Sequence, residues 1–216
     1  MNDLRQSLSA AALYLVCDAV DDELLDAALR GGVGIVQLRV KTGSDAEIMA
    51  ASRRFAAACH AHGALLLIND RPDLAVATGA DGVHIGQDDM PVGRARRVVG
   101  AERLVGLSTH TPAQVDAACA ADVDYIGVGP VHATPTKPGR APVGLELIRH
   151  AAAHATVPFF AIGGIDAGNA GAVAAAGARR IAVVRALTEA ADAQAAARAL
   201  LAAIGAAAQE AGVGPA

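Results

Sequence analysis

The chain has 216 residues, of which 53% are hydrophobic and 19% charged, and its net charge is −4. That length and balance suit one soluble domain with a sizeable core, spanning residues 1–216. No basic block with interleaved aromatics is present, which excludes a nucleic-acid-binding surface. Aromatic residues are only 2% and Trp is absent, so the core must be aliphatic and rich in alanine. Cys17, Cys59 and Cys119 are far apart, odd in number and form no CxxC pair. Disulfides and a structural zinc site are therefore not expected, and a reducing, cytoplasmic setting is. The N-terminus lacks a basic start followed by a long apolar run, and Arg198 interrupts the Ala-rich C-terminal segment. Neither a signal peptide nor a membrane span is expected.

Short β-branched runs recur in chain order at 13–18, 35–41, 64–70, 82–89, 104–110, 125–133, 159–166 and 180–187. Segments with helical spacing lie between them, such as "DAEIMAASRRFAAACHAHG" and "TPAQVDAACAA". Strands alternating with helices imply βαβ units and a parallel sheet. Eight such strands, each followed by a helical segment, predict an α/β fold of the closed (β/α)8 TIM-barrel type. The competing architecture is an open doubly wound sheet, which is disfavoured because no GxGxxG follows the first strand. Asp21 and Asp22, Thr111-Pro112, and Asp166 are expected to start helices. Gly31, Gly63, Gly79, Gly100 and Gly177 are expected at helix ends. The segment "ATPTKPGRAPVG" after the sixth strand excludes regular structure and is a candidate lid.

Barrels of this class collect their chemistry at the C-terminal ends of the strands. Those ends carry Gln37, Arg39 and Lys41; Asn69 and Asp70; Gln87, Asp88 and Asp89; Ser108, Thr109 and His110; His132, Thr134, Thr136 and Lys137; and Gly163 and Gly164. Strand alternation puts Gln37, Arg39 and Lys41 on one face and Val36, Leu38 and Val40 on the other. Helices cover the outside of a barrel, so the two cations and the amide should point into its mouth and meet an anion. Internal salt bridges to Asp70 or Asp89 would satisfy them, and so would the oxygens of a phosphorylated ligand.

Asp70 and Asp89 end neighbouring strands, expected about 4.8 Å apart, where two carboxylates repel unless a cation separates them. Mg2+ fits, because it takes one or two carboxylates and completes its shell with water and phosphate oxygens. The alternative is that Asp70 caps the helix starting at Pro72; Asp73 and Asp88 are substitutes for either ligand. The glycines of "AIGGID" and the "VVRAL" run stand where such barrels often bind phosphate. Gly127 and Gly129 share a face and leave room for a flat ligand, or else only for tight packing. His84 reads as a satisfied interior histidine. His60, His62, His150 and His154 read as surface residues, Cys17 as a small core hydrophobe, and His110 and His132 as orienting groups.

Together "VQLRVK", "LLINDRPDLA", "GADGVHIGQDD", "VGLSTHT", "DYIGVGPVHATPTKPG" and "AIGGI" resemble the thiamine phosphate synthase family from about Leu13 to Leu187. The resemblance implies an Mg2+-dependent transferase acting on two small-molecule substrates, a pyrimidine diphosphate and a thiazole phosphate. It implies that Gln37, Arg39, Lys41, Asn69, Ser108 and Lys137 contact the pyrimidine diphosphate, with Arg39, Lys41, Ser108 and Lys137 acting in catalysis. Asp70 and Asp89 would hold Mg2+. Thr134, Thr136 and Gly164, with the backbone at Val184 and Arg185, would hold the thiazole phosphate. The family often has Ser where Arg185 stands, an acidic residue at Val40 and Thr at Cys17. The implied reaction is dissociative and needs no general base. A thiazole tautomerase-like isomerase and a non-catalytic phosphate-binding barrel are the alternatives. No nucleic acid or membrane partner is implied, and self-association is left open.

Overall fold

The computed structural model describes residues 4–134 and 141–210. Eight parallel strands close into a barrel in the order β1 to β8. They are β1 (Leu13–Cys17), β2 (Ile35–Leu38), β3 (Leu65–Asn69), β4 (Gly82–Ile85), β5 (Leu104–Thr109), β6 (Tyr125–Val128), β7 (Phe159–Ile162) and β8 (Ile181–Val183). Helices α2 (Asp22–Arg30), α3 (Asp45–Ala61), α4 (Pro72–Thr78), α5 (Val92–Val99), α6 (Pro112–Cys119), α7 (Gly144–His154) and α8 (Ala170–Ala175) each follow a strand. After β8 the chain forms α9 (Arg185–Thr188) and then α10 (Ala193–Glu210). A further helix, α1 (Leu4–Ala10), precedes β1 and is not signalled by the sequence patterns above.

Asp21 caps α2 by accepting from Leu24 N at 2.8 Å, and Thr111 caps α6 by accepting from Gln114 N at 3.2 Å, as expected. Asp166 behaves differently. Its Oδ1 accepts from Gly168 N and Asn169 N at 2.8 and 3.1 Å, a local turn that delays α8 until after Asn169. The strands also end earlier than the apolar runs suggest. β8 stops at Val183, and Arg185 already starts a helix.

Alternation sorts the strand residues into two shells. Val36, Leu38, Leu66, Ile68, Val83 and Ile85 face the helices, packing with Leu25, Phe55, Leu74 and Val99. Ile35, Leu65, Leu67, Leu104 and Ala182 face the barrel interior, joined by Leu8 of α1. Leu8 is 1% exposed and plugs the end where the strands begin. Both tyrosines and Phe160 meet inside the barrel. Tyr14 and Tyr125 stand edge-on to Phe160, with centroids 5.4 and 5.7 Å away. Gly106 makes this cluster possible, because a Cβ there would lie 2.0 Å from Tyr125 Cζ. Gly106→Ala should cost about 1–3 kcal/mol of stability through overpacking. Urea unfolding measures this, and an unchanged midpoint would mean that the Tyr125 ring has room to move aside.

Candidate active site

A cavity of about 430 Å³ opens at the C-terminal ends of the strands. Eight of the residues anticipated from sequence line it: Gln37, Arg39, Asn69, Ser108, Thr134, Gly164, Val184 and Arg185. Its apolar wall includes Tyr14, Phe160 and Ile162. Thr136 and Lys137 lie outside the described residues, as does most of the segment read as a lid.

Gln37 is 3% exposed, and its Nε2 has no hydrogen-bond partner among the described residues. A buried donor left unmade costs about 1–3 kcal/mol, so this amide is set to meet an acceptor inside the cavity. Arg39 is half-buried beside it. Burial pulls the guanidinium below its ordinary pKa, and the negative charge of Asp70 pushes it back up. A cation partly stripped of water next to an orphaned amide suits an anionic, acceptor-rich ligand.

Lys41 does not line this cavity. The last ladder bond of β2 is Arg39 N to Cys17 O at 2.7 Å, after which the chain leaves the sheet. Alternation therefore stops governing direction, and Lys41 is exposed. It lines an adjoining cavity of about 390 Å³, whose wall Arg39 also forms.

The run "NDRPD" divides into two tasks. Asp70 adopts φ +58°, the one left-handed non-glycine backbone among the described residues. Its N–H donates to His84 O at 2.8 Å, and its Oδ2 accepts from Asn69 Nδ2 at 2.5 Å. It does not cap α4: the N-cap is Arg71, with no side-chain capping bond. Asp73 is tied to Arg71 at 2.7 and 2.9 Å, and Arg71 also grips Asp45 at 2.6 and 2.9 Å. The guanidinium holds both carboxyls below their usual range. Asp73 is thus engaged on the outside, while Asp70 turns toward the strand ends.

Asp89 does not end β4, which stops at Ile85; it is exposed in the turn that follows, its Oδ2 accepting from Gly86 N at 2.8 Å. Gly86 lies two residues after His84, whose carbonyl receives the Asp70 N–H, so the backbones that carry the two carboxylates leave neighbouring strands. Among the described residues no three His, Cys, Asp or Glu side chains gather as a metal cage. Two hard oxygen donors without a third protein ligand fit Mg2+ that takes its remaining ligands from water and phosphate.

Ser108 Oγ lies 2.9 Å from His84 Nε2, and His84 Nδ1 lies 2.8 Å from Tyr125 OH. His84 is thus a satisfied interior histidine, as its mid-strand position suggests. His110 lines the cavity with Nδ1 2.5 Å from Gly129 O, an orienting contact. His132 packs behind Gly164. Arg185 spans one helical turn to Glu189 at 2.8 Å at the cavity mouth.

The glycines separate by the space around them. A Cβ on Gly129 would lie 2.0 Å from Ile162 O, and one on Gly163 2.5 Å from Pro130 Cα. Those positions are closed by packing. A Cβ on Gly127 would meet only His84 Cε1 at 3.4 Å, an ordinary contact. Gly127 also lines the cavity, so its missing side chain enlarges the ligand space rather than the fold. Gly127→Ala should therefore unfold within about 1 kcal/mol of the parent while weakening ligand binding, and Gly129→Ala should cost about 1–3 kcal/mol. Paired urea titrations decide this, and equal losses for both would overturn the distinction.

The sequence pattern described as thiamine monophosphate synthase (TMP-TENI) matches residues 13–187. A thiamine-phosphate synthase of Gloeobacter violaceus is 52% identical over 192 residues, covering 88% of this chain and 56% of that protein. One from Saccharopolyspora erythraea is 51% identical over 210 residues, covering 91% and 94% respectively. The chain thus spans little more than half the length of the Gloeobacter relative and nearly all of the Saccharopolyspora one. A solved thiamine phosphate pyrophosphorylase from Pyrococcus furiosus superposes with a TM-score of 0.85 at 30% identity, covering 94% of this chain and 98% of that one. A 3-hexulose-6-phosphate synthase superposes at a TM-score of 0.65 and 24% identity, a likeness of fold alone. With its rim of amide, guanidinium and carboxylates on a closed parallel barrel, the chain belongs to the thiamine monophosphate synthase family.

Proposed function

We propose that this chain is a thiamine phosphate synthase. It transfers the 4-amino-2-methylpyrimidin-5-ylmethyl group from its diphosphate to the nitrogen of 4-methyl-5-(2-phosphoethyl)thiazole, releasing thiamine phosphate and diphosphate. The observation that carries the reading is the pairing of Gln37, a buried amide donor without a partner among the described residues, with half-buried Arg39 in one cavity. The relatives' names support it. The acting unit is the single barrel of residues 1–216.

In this reading the C–O bond of the pyrimidine diphosphate breaks with its electron pair leaving on diphosphate oxygen, and the thiazole nitrogen closes the new C–N bond. Arg39, with Lys41 at the adjoining cavity and Lys137, stabilises charge that develops on the leaving group. Gln37 and Asn69 orient the pyrimidine, and Ser108 donates to it. Mg2+ held by Asp70 and Asp89 would supply further neutralisation of the diphosphate. Thr134, Thr136, Gly164 and the backbone at Val184 and Arg185 hold the thiazole phosphate. Because Glu189 already pairs with the Arg185 guanidinium, the backbone of Arg185 is the phosphate contact rather than its side chain. The apolar wall of Tyr14, Phe160 and Ile162 keeps water from the electron-poor methylene carbon. The tautomerase-like alternative leaves Asp70, Asp89 and Lys41 without a task.

We place the protein in the cytoplasm. Cys17 and Cys59 are buried free thiols whose pKa values burial pushes up to about 12, which suits thiols never destined for oxidation. No described helix is long and apolar enough to cross a membrane.

Two outcomes test the reading. Incubation with both substrates should release diphosphate and form thiamine phosphate only when Mg2+ is present, and release that persists in excess chelator would overturn the metal assignment. Asp70→Gly should tolerate the φ of +58° without a Cβ penalty, so the melting temperature holds or rises, while Mg2+-dependent turnover falls on the order of 10²-fold or more. Full activity in a folded Asp70→Gly variant would remove Asp70 from the metal site.

A further inference from the structure

Four polar groups that the local motifs do not link form a chain through the barrel interior. Tyr14 OH lies 3.0 Å from Tyr125 OH, Tyr125 OH lies 2.8 Å from His84 Nδ1, and His84 Nε2 lies 2.9 Å from Ser108 Oγ. Tyr14 and Tyr125 are 2% and 0% exposed, and Ser108 ends the chain at the cavity. We infer that this relay has one direction, with Tyr14 donating to Tyr125, Tyr125 to His84 Nδ1 and His84 Nε2–H to Ser108, so that the Ser108 hydroxyl is left to donate into the cavity. The inference rests on the proposed reaction for its substrate, while its direction already follows from the geometry and is only reinforced by the ligand's chemistry.

Two independent arguments set the direction. If the bonds ran the other way, the proton of Ser108 would go to His84 and the Tyr14 O–H at the far end would need an acceptor. Among the described residues, the hydrogen bond of Tyr14 OH is the one to Tyr125. An unmade buried donor is costly, whereas an oxygen with an unused lone pair is tolerated far better. The second argument comes from the ligand. Diphosphate oxygens and ring nitrogens are acceptors, and a Ser108 whose proton is spent on His84 could only offer them lone pairs. Burial holds both tyrosines protonated, so neither can reverse the chain by giving up its proton. Tyr125 is thus a positioning residue that does not line the cavity and acts through His84 and Ser108, whereas His84 also forms part of the cavity wall. The rings also pack tightly, with Tyr125 edge-on to Phe160 and tilted over His84 at 5.5 Å, so the relay has little room to rearrange.

The tautomer of His84 reads the direction without any turnover. In the full-length protein, ¹⁵N NMR of the His84 ring should show the neutral Nε2–H form, and a neutral Nδ1–H form would overturn the inference. Activity reads the consequence. Tyr125→Phe keeps the ring and removes the hydroxyl; it should lower kcat by about 10-fold, the equivalent of one lost hydrogen bond, with KM little changed. In a Ser108→Ala background the same change should have almost no further effect, because the relay would have nothing left to position. Additive losses in that double mutant would overturn the relay. Tyr14→Phe should lose less than Tyr125→Phe, since it only biases the direction. If Tyr125→Phe does not fold, the wild-type tautomer still decides the matter. Absence of thiamine phosphate from the wild-type reaction would sink the proposed function while leaving the tautomer result to stand or fall by itself.

Discussion

Every side chain on a barrel strand has two destinations, the helical jacket or the enclosed interior, and hydrogen-bonded register between strands decides which. That constraint explains why a polar amide and a guanidinium come to lie among aliphatic residues. Gln37 is directed inward because it pairs with Val16 and Leu67 across parallel ladders, and no local preference of its own would choose that place. The interior is tightly occupied below by Leu8, Tyr14, Tyr125 and Phe160, so polar groups collect where the strands run out. The site is the part of the interior that the core leaves unfilled.

The limits of sequence reading follow from the same constraint. The eight-strand alternation was readable because it is local and periodic. So were the caps at Asp21 and Thr111, which need only a neighbour three residues away. Alternation stops short of Lys41 because periodicity does not reveal where the ladder ends; the Arg39 to Cys17 bond does, and it is formed between two strands. The run continuing through Arg185 looked like strand for the same reason, since Val184 and Ala186 are apolar on either side of the point where α9 begins. Helix α1 escaped notice because seven residues hold too few turns to set up a stripe, and its reason for existing is Leu8 reaching a core built from distant strands.

The site itself was legible as residue types and illegible as connections. Gln37, Arg39, Asn69 and Ser108 could be chosen by strand position. That His84 would join Ser108 to Tyr125 depends on pairings 24 and 41 residues apart, which only the closed barrel brings together. The glycines teach the same lesson. Gly127 and Gly129 are indistinguishable in the run "YIGVGPV", yet a Cβ on one would make ordinary contact with His84 and on the other would strike a carbonyl at 2.0 Å. Asp70 and Asp73 are likewise equals on paper. Arg71 separates them by clamping Asp73 and Asp45 on the outer surface, while Asp70, on its left-handed backbone, accepts from Asn69 of the cavity wall.

The Leu8 plug turns the barrel into a blind well. With its lower end sealed by α1 and the aromatic floor, traffic in both directions has to use a single mouth. On the proposed two-substrate reaction, whichever reactant lies deeper in such a well would have to arrive before the other and depart after it. On that reading the sequence of loading and unloading would be imposed from afar, by a helix that sits at the opposite pole from the chemistry.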